Sequence, residues 1–267
     1  MARDLGVDQS TVRARMRKFQ DSGVLKDWSL GINPGNLGLH VGQVWLGVQD
    51  SDKAAVVKSL LSSNDVERVC NYFGPILSFI FLFQGGADPM PGLAKILGRA
   101  GPGVTVLRQE IIPIPSLPLK DIDASIIHSL QDDPWKSYRR VAKEVKASSR
   151  TIARRVAKMS EEGAIYMLPV VDLKALQGVI PAELVVEYSS SNSKGPATAR
   201  IVSRIGADLV FSDVKGPHGY FAVLVENLSQ LEQLAESCRK EQGVKGIRVG
   251  ALQDVILNTK HYQNSRL

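Results

Sequence analysis

Nine lysines and arginines and one acidic residue, Glu144, lie between Pro134 and Lys158. Cations at that density suit a polyanion. Ammonium groups act as point charges on phosphates, and guanidinium forks pair with phosphate oxygens or guanine edges. Spacing decides which of them act together. Counted at about 100° per residue from Ile152, Arg150 and Arg154 fall near 160° and 200°, opposite the apolar stripe of Ile152, Val156 and Met159. Thr151, Arg155 and Lys158 flank that outward face, and Ser149 opens the helix. Most basic runs are only solvated helix faces. This one coincides with a turn-helix arrangement, which favours a nucleic acid.

Other chemistries find little support. His40, His128, His218 and His261 are scattered without metal-ligand spacing, so neither metal nor cofactor is expected. His218 falls in an expected hairpin turn. Cys70 and Cys238 can build neither a disulfide scaffold nor a paired-cysteine zinc site. Gly98, Gly101 and Gly103 form neither a dinucleotide fingerprint nor a phosphate loop, and no nucleophile elbow is present. An enzyme is not expected. Trp28, Trp45 and Trp135 are expected to pack.

The cations need elements to hold them. Ile122, Ile126, Ile127 and Leu130 define a helix over Asp121–Gln131, stopped by Asp132-Asp133-Pro134. Ser137 is positioned to cap a second helix over 138–145. Lys146-Ala147-Ser148 forms a tight turn, and Ser148 caps a third helix over 149–162. Gly163 ends it, and 164–171 is a short strand. Three short helices with a tight turn before the third describe a winged helix-turn-helix.

The pattern occurs twice. Residues 1–25 align without gaps on 141–165, placing Ala2, Thr11, Arg15, Lys18 and Gly23 on Ala142, Thr151, Arg155, Lys158 and Gly163. Gly74-Pro75 later matches Gly216-Pro217, so the register slips by only two residues across a module. The first-copy helix, capped by Asp8, offers Gln9, Ser10, Thr11 and Arg13 as base-reading candidates, with Arg15 beside them. Its outward positions, Ser10, Ala14 and Lys18, carry less charge. That copy lacks the first helix of the unit, which implies a misplaced start or a degenerate reading head.

After each helical unit comes a strand-helix-strand-strand-helix-strand pattern, over 40–49, 52–61, 66–73, 76–83, 91–97 and 104–112, then 182–188, 195–205, 209–214, 220–225, 229–240 and 247–256. This is the order of a ferredoxin-like βαββαβ sandwich. The expected fold is α+β: two winged helix-turn-helix units, the first lacking its first helix, alternating with two ferredoxin-like domains. Domain boundaries are expected at 1–30, 38–115, 117–172 and 180–260, with the proline-rich stretch Pro113 to Pro118 as an extended linker.

A basic winged helix followed by βαββαβ resembles the leucine-responsive regulatory protein/AsnC family, present here in tandem. The resemblance is sharpest over 119–165 and covers nearly the whole chain. It implies a transcriptional regulator whose partner is double-stranded DNA, with sandwiches for oligomerisation and for sensing a small-molecule effector such as an amino acid. A homo-oligomer or an internal pseudo-dimer follows. The family's middle hairpin carries Gly, an aromatic and Asp; here stand Gly219-Tyr220-Phe221 and Leu77-Ser78-Phe79, without the acid. Two alternatives share the resemblance. One is a sirohaem decarboxylase, which would hold its substrate with a His and an Arg near the middle strands, where this chain has Cys70-Asn71-Tyr72-Phe73-Gly74-Pro75 and, in the second copy, Lys215 and His218. The other is a non-catalytic assembly partner of related regulators.

The 267 residues carry 33 basic and 27 acidic side chains, a mild net charge of +6 that alone selects no partner. No apolar run approaches the roughly 20 residues of a membrane span, and the amino terminus has no secretory core. A cytoplasmic protein without a membrane partner is expected.

Overall fold

The computed structural model describes residues 8–131, 133–214 and 216–258. In chain order the first half holds α1 (Gln9–Asp21), β1 (Leu25–Ile32), β2 (Leu39–Val48), α2 (Lys53–Leu61), β3 (Val66–Tyr72), β4 (Ile76–Gln84), α3 (Met90–Ala100) and β5 (Val104–Ile112). The second half holds α4 (Asp121–Gln131), α5 (Tyr138–Glu144), α6 (Ser149–Glu161), β6 (Ile165–Val171), β7 (Ile180–Tyr188), α7 (Ser191–Ile205), β8 (Leu209–Asp213), β9 (His218–Val225), α8 (Leu228–Arg239) and β10 (Val244–Leu257). The chain divides into two compact units. Among the described residues, one comprises 8–69, 78–171 and 256–258; the other comprises 70–77 and 172–255.

Both βαββαβ patterns fold as ferredoxin-like sandwiches. The strand orders, β5-β2-β4-β3 and β10-β7-β9-β8, are the same arrangement written twice. In the first, alternation along β2 buries Val44, Leu46 and Val48, while α2 and α3 bury Val56, Leu60, Leu93 and Ile96. In the second, Leu184, Val186, Phe221 and Val223 pack with Ile201, Ile205, Leu231 and Ala235 from α7 and α8. The helix α7 begins four residues before the expected Gly195. Ser190 and Ser193 form a reciprocal capping box that starts it. His218, expected in a turn, is the first residue of β9 and pairs with Glu187 of β7.

The helical unit around α4, α5 and α6 has its own core: Ile126, Ile127, Leu130, Val141, Ile152 and Met159, all buried. Leu30 and Ile32 of β1 complete it. The strand β1, which the sequence pattern did not announce, pairs antiparallel with β6. Trp28 lies opposite Pro169 and Ser29 opposite Leu168. At the repeat offset of 140, Leu168 is the counterpart of Trp28, and Pro169 that of Ser29. Each residue therefore faces the counterpart of its neighbour, which is the reciprocity of a two-fold axis through the ribbon. The two wings pair with each other. The helices feeding them repeat as well: α1 and α6 are each 13 residues long, and Gly23 and Gly163 both turn the chain at φ +75°, a conformation that favours glycine.

The proline-rich stretch, which forms neither helix nor strand, is anchored. The Ile114 amide donates to His40 Nδ1 at 3.1 Å, and the Leu117 amide to Asn36 Oδ1 at 2.7 Å. His40 is thereby a structural acceptor. Trp28 and Trp135 meet edge to face at 5.5 Å, although Trp135 remains 57% exposed.

Candidate nucleic-acid interface

The site is built by α4, α5 and α6. Ser148 ends the tight turn in extended conformation, and its hydroxyl accepts the Thr151 amide at 3.1 Å. The Thr151 hydroxyl lies 2.9 Å from the Ser148 hydroxyl, so Thr151 belongs to the cap as much as to the outward face. Ser148→Ala should lower the stability of this unit by about 1 kcal/mol, read from the denaturant midpoint. Within the turn, Lys146 takes φ 53°, which costs a side-chain-bearing residue energy. Ser137 occupies the cap position of α5 without a capping bond from its side chain.

Of the nine cations, two turn inward. Arg155, expected beside the outward face, points instead to α4. Its Nε donates to Asp123 Oδ1 at 2.5 Å and its Nη2 to Asp123 Oδ2, and the Lys120 amide adds a bond to that carboxylate at 2.8 Å. The Asp123 side chain is wholly buried. Burial opposes its ionisation, but the Arg155 hydrogen bonds, the Lys120 amide and both cationic charges outweigh this and hold the carboxyl below its usual range. A guanidinium fork committed to a buried carboxylate is not offered to a phosphate. Lys136 is likewise engaged: its ammonium reaches the Ser129 carbonyl at 2.6 Å and Glu144 at 3.1 Å. Glu144 also accepts from the Ser129 hydroxyl. The hydroxyl and the ammonium keep the Glu144 carboxyl below its usual range.

The other seven cations of the run, Arg139, Arg140, Lys143, Lys146, Arg150, Arg154 and Lys158, are exposed. Ser149 is exposed with them. Lys158 lies 3.6 Å from Glu162, one turn on. The result is a basic surface whose one acid within the run is tied to a buried hydroxyl and an inward lysine. Sequence periodicity missed the Asp123–Arg155 pair. The signal was present: Asp123 stands three and four residues before Ile126 and Ile127, on their face of the helix.

In the first copy, Asp8 caps α1. It accepts the Thr11 amide and hydroxyl, both at 2.8 Å, and the Ser10 hydroxyl. These bonds, Ser10 first, hold the Asp8 carboxyl well below the usual range. Ser10, Ala14 and Arg15 are exposed and Thr11 is half-buried. Gln9 and Arg13 lie on α1, and their side chains fall outside the described residues. Phe19 is 52% exposed where its counterpart Met159 is buried.

Among the described residues there is no cluster able to hold a metal ion, and no helix is long and apolar enough to cross a membrane. Lys215 lies outside the described residues. His218 is half-buried, and burial lowers its pKa against the pull of Glu187.

Residues 119–160 match the AsnC-type helix-turn-helix domain. The chain thus contains an AsnC-type helix-turn-helix domain, and α4, α5 and α6 are the helices that the match spans. A search of curated proteins finds no match. Among solved structures, the siroheme decarboxylase NirDL is similar over 95% of this chain and 84% of its own, with a TM-score of 0.55 at 12% identity, a likeness of fold. The leucine response regulatory protein LrpA of Mycobacterium tuberculosis aligns over 51% of this chain and 93% of its own, at 19% identity and TM-score 0.41. AsnC of E. coli aligns over 52% and 94%, at 18% identity and TM-score 0.37.

Proposed function

We propose that this protein is a transcriptional regulator that binds double-stranded DNA, with α6 entering the major groove. One observation carries this: the exposed cations of the second winged unit surround an AsnC-type helix-turn-helix whose Asp123 and Glu144 carboxylates are already paired with the inward cations Arg155 and Lys136. Arg150 and Arg154 are the base-edge candidates, and Ser149 lies beside them at the start of the helix. Arg139, Arg140, Lys143 and Lys158 neutralise phosphates. Thr151 contributes through the cap, and Arg155 by fixing α6 on α4. In the first unit Ser10, Thr11, Arg15, Gln9 and Arg13 are the corresponding candidates. The ferredoxin-like domains serve association and the sensing of a small effector such as an amino acid.

The test is a titration of labelled duplex at several salt concentrations. Each phosphate neutralised contributes about −0.9 to the slope of log K against log salt, so a slope steeper than about −3 is expected. Absence of duplex binding at low ionic strength discards the regulator.

The whole-chain likeness to NirDL motivates one other reading, a tetrapyrrole-binding enzyme. The two separate in a single measurement. Added iron uroporphyrin leaves its Soret band unmoved for a regulator and shifts it for a decarboxylase-like protein.

A further inference from the structure

The reciprocal β1–β6 ribbon places two winged units about a local two-fold, each with its own third helix feeding its own strand by the same glycine turn. A two-fold pair of such helices faces a duplex as two half-sites in opposite orientation. Here the halves are not chemically equal. At the outward positions, α6 carries Arg150 and Arg154 where α1 carries Ser10 and Ala14, all four exposed. The helix entrances differ too. A helix N-terminus attracts a phosphate through its unpaired amides and its dipole. Ser148 leaves that field at α6 uncompensated, whereas the ionised Asp8 carboxylate neutralises it at α1 and repels a phosphate there.

We infer that the DNA partner is a single site of two unlike half-sites, one read at its base edges by Arg150 and Arg154, the other held by α1 through weaker, sequence-tolerant contacts. This rests on the DNA-binding reading above and adds the form of the operator. A homodimer cannot make this distinction, because symmetry gives both its helices the same side chains. Here the two helices are separate stretches of one chain.

Selection from a random duplex library, followed by strand-cleavage footprinting, tests it. The wild type should enrich one short motif without an inverted copy, and its footprint should extend past the motif on one side only. The triple variant Asp8→Ser/Ser10→Arg/Ala14→Arg gives α1 the outward set of α6 and keeps a good cap. It should enrich the same motif together with its inverted copy at fixed spacing. It should also bind that symmetric duplex at least tenfold more tightly than the wild type does. Enrichment of symmetric sites by the wild type overturns the inference, as does a footprint confined to the motif or a folded variant without gain on the symmetric duplex. Failure to enrich any duplex is a different result: it removes the DNA-binding reading itself, and the operator model with it.

Discussion

Asp123→Ala should destabilise the second winged unit by about 3–5 kcal/mol, because it strands a largely buried guanidinium without its counter-charge. The Asp123 carboxylate is wholly buried and takes two hydrogen bonds from Arg155 and one from the Lys120 amide. Nothing else in the unit joins α4 to α6 by an ion pair of this depth among the described residues. Denaturant unfolding at neutral pH measures the loss, and a cost below about 1 kcal/mol would show that the pair is not holding α6. The pH dependence has a definite sign. The folded carboxyl titrates below its unfolded value of about 3.9, so its contribution is complete above that value and disappears as pH falls through the folded one. The gap between wild type and Asp123→Asn should therefore narrow in acid. Replacing both partners with apolar residues, Asp123→Leu/Arg155→Met, should recover much of the stability, since a buried pair is a weaker net contributor than its broken form suggests.

Removing both outward guanidinium groups, Arg150→Ala/Arg154→Ala, should leave folding intact and weaken specific duplex binding. Each contact to a base edge is worth about 1–3 kcal/mol, and its loss relaxes preference at the bases it reads. Lys158→Ala should behave differently, weakening all duplexes alike and reducing the salt slope by about one. Its ion pair with Glu162 makes that loss the smaller one. Fluorescence anisotropy on cognate and scrambled duplexes distinguishes the two patterns. Unchanged affinity in the double variant would transfer the reading role away from α6.

Local signals predicted the elements well. The helix α4 has the expected limits, and the strand order follows from recognising βαββαβ twice, because periodicity, caps and turn residues act over a few positions. Long-range partners were less legible. The stretch Leu25–Ile32 shows no clean alternation, since Leu30, Gly31 and Ile32 are all buried while Lys26 and Asp27 are exposed. Its partner, β6, lies 140 positions away, and no local rule predicts that pairing. Arg155 is a case of the same kind. It stands about 300° from Ile152, at the edge of the apolar stripe, and only the Asp123 carboxylate on another helix decides that it turns inward. The apolar pattern opens this helix only at Gly195 because serine competes for backbone bonds, and at Ser190 and Ser193 that competition is the cap itself.

The β1–β6 ribbon also changes what dilution can do. In a two-chain assembly the pairing of wings is a bimolecular equilibrium, and scarcity dissolves it. Here both strands hang on one tether, so their mutual concentration is fixed by chain length and not by how many molecules a cell makes. Occupancy of a target should therefore rise in simple proportion to protein at low copy number, without the threshold that a dissociating dimer imposes.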